Sequence, residues 1–149
     1  EDRSIQWENK AANKHEIFLW AAGGTDGIDV ILNVQAYFPD RAAAFQAPAW
    51  GDWYASGGTK GIEPDAEMKK MMSLYQELQK KGKWEEQVAG MKEIIQISAD
   101  YFPQIGICTQ PEEFGIVKNN FKNVPPRLIE TALMVTPGPT NPEQYYFAK

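Results

Sequence analysis

The chain has 149 residues, of which 43% are hydrophobic and 12% aromatic, and a formal net charge of −5. That length suits one domain and that composition an ordinary globular protein. The acidic balance argues against a nucleic-acid partner or an anionic membrane surface, each of which needs a basic face.

The first predicted element is a short helix over about Arg3 to Asn13, with Ser4 as its cap and Asn13-Lys14-His15 as its exit. Ile17-Phe18-Leu19-Trp20, a short bulky run ending near glycines, predicts a buried strand. Gly23-Gly24-Thr25-Asp26-Gly27 is then a loop, since glycine permits backbone angles that other residues avoid. Ile28 to Leu32 fits either a strand or a turn of helix. Residues 33 to 62, rich in aromatics, Ala, Gly and Pro, read as a long irregular segment that packs on the body or lines a site.

Two helices follow. Pro64 suits a first helical turn, and Asp65 and Glu67 favour its positive end. Met68, Met71, Met72, Tyr75 and Leu78 recur at helical spacing and predict one apolar, core-facing stripe. The second helix runs from about Trp84 to Phe102, with a predicted stripe of Trp84, Val88, Met91, Ile95 and Phe102. Gly82 separates the pair, which predicts an antiparallel helical hairpin. Pro103 closes it. Ile105 to Thr109 and Phe114 to Lys118 read as strands, and the proline-rich remainder as an extended tail whose end, Glu143 to Phe147, forms a terminal strand.

A search for reactive constellations leaves little. One His and one Cys, far apart, give no zinc spacing and no cysteine–histidine pair. Cys108 lies in the apolar run Gln104 to Thr109, where a buried, inert thiol is expected. Asp26 and Asp29 lack the ligand density of a calcium loop. The glycine loop has no following Lys-Ser/Thr, so it is not a phosphate-binding P-loop. No stretch of eighteen apolar residues is present to span a membrane. The opening Glu1-Asp2-Arg3 has neither an initiator Met nor an apolar leader, so a removed leader or an internal start in a longer protein is expected. What remains is a glycine turn beside Trp20 and an aromatic segment holding Trp50, Trp53 and Tyr54. Backbone N–H groups and flat rings of this kind suit a polar ligand such as a sugar or peptide.

An ordered set of segments resembles the C-terminal part of the family 5 extracellular solute-binding proteins, the oligopeptide, dipeptide and nickel-type receptors of ABC importers. Lys10-Ala11-Ala12-Asn13-Lys14-His15 precedes Ile17 to Trp20 and its Trp-x-x-Gly-Gly turn. Trp50-Gly51-Asp52-Trp53-Tyr54-Ala55-Ser56-Gly57-Gly58 leads to Glu63-Pro64. After the hairpin come Val117-Lys118-Asn119-Asn120-Phe121-Lys122-Asn123-Val124-Pro125 and Asn141-Pro142-Glu143-Gln144-Tyr145.

The resemblance implies an α/β architecture, the C-terminal part of a type II periplasmic-binding fold that closes on its ligand by hinge motion. Residues 1–103 would belong to the second lobe. Residues 104–149 would supply the hinge strand and the return to the first lobe. It implies a substrate-binding component of an ABC importer, not an enzyme, that captures an oligosaccharide or peptide. No metal or cofactor is implied. The setting would be periplasmic or extracellular, with a secreted or lipid-anchored full-length protein, and the transmembrane permease subunits would be its partners. Trp20, Gly23, Gly24, Thr25, Asp26, Trp50 and Trp53 are the expected ligand contacts. In peptide-binding members, an Asp three residues after the strand's Trp holds the ligand's amino group. Gly23 stands there in this chain, which leans toward a neutral ligand such as an oligosaccharide. Members are much longer, and a chain lacking most of the first lobe is expected to self-associate through exposed strands. Two other readings fit the same residues: a small glycosidase-like enzyme using two carboxylates, and a protein-interaction module.

Overall fold

The N-terminal helix begins at an acidic cap. A computed structural model describes residues 2–20, 27–108, 114–128, 135 and 137–148. Helix α1 (Arg3–Ala11) is capped by Asp2, whose Oδ1 accepts from the Ser4 amide at 2.8 Å. The cap is therefore not Ser4, which lies two residues too late. Asp2 has the extended backbone an N-cap needs, and its charge favours the positive helix end. Asn13, at φ +53°, turns the chain out of the helix as expected.

Residues 14–20 form no helix or strand and join no sheet among the described residues. The predicted strand at Ile17 to Trp20 is absent because a strand needs a ladder partner, and no described segment supplies one. The undecided stretch after the glycine loop is a single turn, α2 (Asp29–Leu32), followed by a 3-10 turn at Val34–Ala36. These turns send Ile31, Val34 and Phe38 into the core.

Residues 33 to 62 are more ordered than the sequence suggests. Helix α3 (Pro48–Ala55) starts with Pro48 at its first turn, where the missing N–H costs nothing. Gly51 lies in its middle, and a Cβ there would collide with the Arg41 carbonyl. A glycine that reads as a helix breaker is here the residue that lets two backbones touch.

Helix α4 (Ala66–Gln79) and helix α5 (Trp84–Tyr101) form the predicted hairpin. Leu78 near the end of α4 lies beside Gly90 on α5, and Tyr101 at the end of α5 returns to Asp65 at the start of α4, so the pair is antiparallel. Met68, Met71, Met72, Tyr75 and Leu78 are all buried, as their spacing predicted. The α5 stripe is rotated from the predicted one. Met91, Ile94 and Ser98 are its buried residues, while Trp84, Ile95 and Phe102 are exposed. Adjacent isoleucines at 94 and 95 gave the sequence two equivalent phases, and packing on α2 and α4 chose one. Phe102, at φ +58°, ends α5 ahead of Pro103.

The described residues 104–108 and 114–118 have no assigned helix or strand, so neither predicted strand forms there, and Thr109 lies outside the described residues. Ile105, Ile107, Phe114 and Ile116 are exposed, and Cys108 is exposed as well, against the expectation of a buried thiol. With no sheet to join, the apolar run around it covers nothing. The terminal strand does form, in short form. β2 (Tyr146–Phe147) pairs antiparallel with β1 (Phe121–Lys122), with Phe121 opposite Phe147. Phe121 packs edge-on against Tyr145 at 5.4 Å and tilted against Phe147 at 4.7 Å. Among the described residues the architecture is a small mixed domain of helices with one two-stranded sheet, compatible with a piece of an α/β protein. No described helix is long and apolar enough to cross a membrane.

Candidate functional site

The face around Trp20 is built from two chain segments, α1 and residues 17–20. Trp7 on α1 meets Trp20 edge-on at 4.9 Å, and Phe18 stacks on Trp20 at 6.0 Å. The Arg3 guanidinium sits 5.0 Å from the centre of the Trp20 ring, within cation–π range. Gln6 ties the segment back to α1 by donating to the Leu19 carbonyl at 3.3 Å. Trp20 remains 36% exposed, a supported and partly open indole.

Trp50 and Trp53 occupy a different setting. Both lie on α3, half-buried, and pack against the core with Tyr54. The loop that follows α3 fixes them. Gly61, at φ +78°, lies so close that a Cβ would overlap the Ala49 carbonyl and reach within 2.6 Å of the Trp53 amide. Ile62 donates to that carbonyl at 3.0 Å. Ser56 Oγ accepts from the Lys60 amide at 2.9 Å, and the Trp53 indole lies over Gly58. Burial raises the Tyr54 hydroxyl to about 12, helped by Tyr75 and Asp40 nearby.

Among the described residues no ring contact joins Trp20 to Trp50 or Trp53. Gly23, Gly24, Thr25 and Asp26 lie outside the described residues. At the exit of the glycine loop, Asp29 opens α2 with 1% exposure, and its Oδ1 has no hydrogen-bond partner among the described residues. No group of three His, Cys, Asp or Glu that could hold a metal occurs among the described residues.

The sequence reading missed Lys10. Its ammonium is buried under Trp7, Phe18 and Phe45 and donates to the Ala43 carbonyl at 2.7 Å. Burial lowers its pKa from the ordinary lysine value. The available signal was the i, i+3 pairing of Trp7 and Lys10 on one helix face. A shallow cavity of about 330 Å³ lies at the other end of the chain, lined by Ile116, Val117, Phe121, Val124, Leu128 and Phe147 among others.

No protein-family model matches this chain, and no curated protein matches it.

Proposed function

We propose that this chain is part of a solute-binding receptor of an ABC importer, and that it grips an oligosaccharide or a peptide without chemical turnover. Trp20 carries the reading. It is a partly exposed indole, backed by Trp7 and Phe18, and the sequence places a glycine-rich segment from Gly23 just after it. A sugar face or a peptide side chain stacks on such a ring, and backbone amides of the glycine-rich segment would bind its polar groups. The ordered motifs from Lys10 to Tyr145 support the same family, with Trp20 and the turn Gly23 to Asp26 as first contacts. Trp50 and Trp53, held rigid by the Gly61 loop, would supply a second stacking surface after closure. Capture outside the cytoplasm and delivery to permease subunits belong to the same proposal.

The test is a thermal-shift and calorimetric screen of the full-length gene product against neutral oligosaccharides and short peptides. One class is expected to raise the melting temperature saturably, as a ligand that binds only the folded state must. Trp20→Ala should weaken binding at least tenfold without altering the helical spectrum. Turnover of a chromogenic glycoside, or no response to either class, would sink the receptor reading.

A further inference from the structure

We propose that Trp7, Phe18 and Phe45 form an ammonium-binding cage, that Lys10 is its built-in occupant, and that a free primary alkylammonium ion takes the cage once the Lys10 head is removed. The cage is defined by geometry and is independent of the receptor reading. Lys10 is 3% exposed, the most buried cation among the described residues. It makes no ion pair there. A buried, unpaired ammonium is costly unless its surroundings replace the lost water. Three rings do so: Nζ lies 4.7 Å from the centre of the Trp7 ring and 5.8 Å from those of Phe18 and Phe45. All three fall within the roughly 6 Å over which a ring quadrupole attracts a cation. The Ala43 carbonyl adds one direct acceptor at 2.7 Å.

The rings come from separate segments and brace one another. Trp7 is on α1, Phe18 follows its exit, and Phe45 lies in the segment before α3. Phe18 and Phe45 stack at 6.4 Å with planes 12° apart, and Trp7 tilts against Phe18 at 5.7 Å. A cage braced in this way keeps its shape when its occupant changes. Because α1 supplies both a wall and the occupant, the lysine also fastens α1 to the segment around Ala43, 33 residues away.

The experiment uses Lys10→Ala, which removes three methylenes and the ammonium, and offers n-propylammonium as the missing fragment. Lys10→Ala is expected to show a saturable rise in melting temperature and a change in tryptophan emission with n-propylammonium. The same concentration of 1-propanol should give neither, and the unaltered chain should respond to neither probe. Equal responses of Lys10→Ala to the amine and the alcohol, or none to either, would overturn the cage. Lys10→Met covers the case in which Lys10→Ala does not fold, because it keeps most of the stem and loses the charged head with its hydrogen bond to Ala43. A cation site predicts that Lys10→Met melts several degrees below the unaltered chain; a merely apolar slot predicts that it melts at the same temperature or higher, which would overturn the proposal.

Discussion

The hydroxyl of Tyr101 donates a 2.6 Å hydrogen bond to Oδ2 of Asp65, while Oδ1 of the same carboxylate accepts from the Met68 amide at 2.9 Å. One side chain thus caps α4 and fastens the far end of α5 to it. The Tyr101 bond first and the Met68 amide second hold Asp65 below the ordinary carboxylate value of 3.8. A carboxylate stabilised in the folded state contributes its stability above that ordinary value and loses it as pH falls through the lower, folded one.

Asp65→Ala should therefore cost about 1 kcal/mol as a lost N-cap, with a larger total because Tyr101 is also released. Tyr101→Phe should cost about 0.5–1.5 kcal/mol and should flatten the acid limb of stability below pH 3.8. Urea melts at neutral pH and near pH 3 separate the two effects.

Tyr54 and Tyr101 both titrate near 12 when folded, against an ordinary 10.0, chiefly through burial. A raised folded value means that the unfolded chain ionises first. Stability is then complete below pH 10 and falls as pH climbs toward 12. Lys10, lowered by burial, acts in the opposite sense over the alkaline range. Denaturant melts across this window should show the decline, and Tyr54→Phe should reduce it.

Gly61 and Gly82 make a paired test of backbone constraint. Gly61→Ala forces a Cβ against the Ala49 carbonyl at φ +78° and should cost at least about 2 kcal/mol. Gly82 has open space around it, so Gly82→Ala should be neutral or stabilise by up to about 1 kcal/mol. Thermal melts of the two variants check both. Loss of the Trp53 emission in Gly61→Ala alone would show that the loop, and not α3 by itself, sets that ring.

The rotated face of α5 is tested at two neighbouring positions. Ile94 is fully buried and Ile95 is 36% exposed. Ile94→Ala should cost about 2–5 kcal/mol, the range for emptying a core site. Ile95→Ala should cost about 1 kcal/mol or less. The reverse order would restore the stripe expected from sequence.

The hairpin was legible because five apolar residues of α4 fall on one 3.6-residue phase and a cap and a glycine mark its ends. The phase of α5 was not, because Ile94 and Ile95 offered two stripes of equal merit. Helix α3 was hidden by Pro48 and Gly51, whose reasons are positional: one starts a helix, the other admits the Arg41 backbone. The strands predicted at 17–20, 105–109 and 114–118 have the right composition and no described partner, and pairing is a property of the whole sheet. Trp20 was legible as a candidate by its place before the glycine turn. The Lys10 cage was not, because Phe45 joins it from 35 residues along the chain, a distance no local pattern spans.

The short link between α4 and α5 also bears on the order in which the chain folds. Four residues join two long helices, so little chain entropy is lost when they meet. The β1–β2 pair must instead bring residue 121 to residue 147, and closure of such a loop is slower. Helical signal should return ahead of the Phe121–Phe147 contact in a stopped-flow refolding trace. Ribosomal synthesis releases the hairpin before β2 is made, so the helical pair can already be in place when Tyr146 and Phe147 emerge to meet β1.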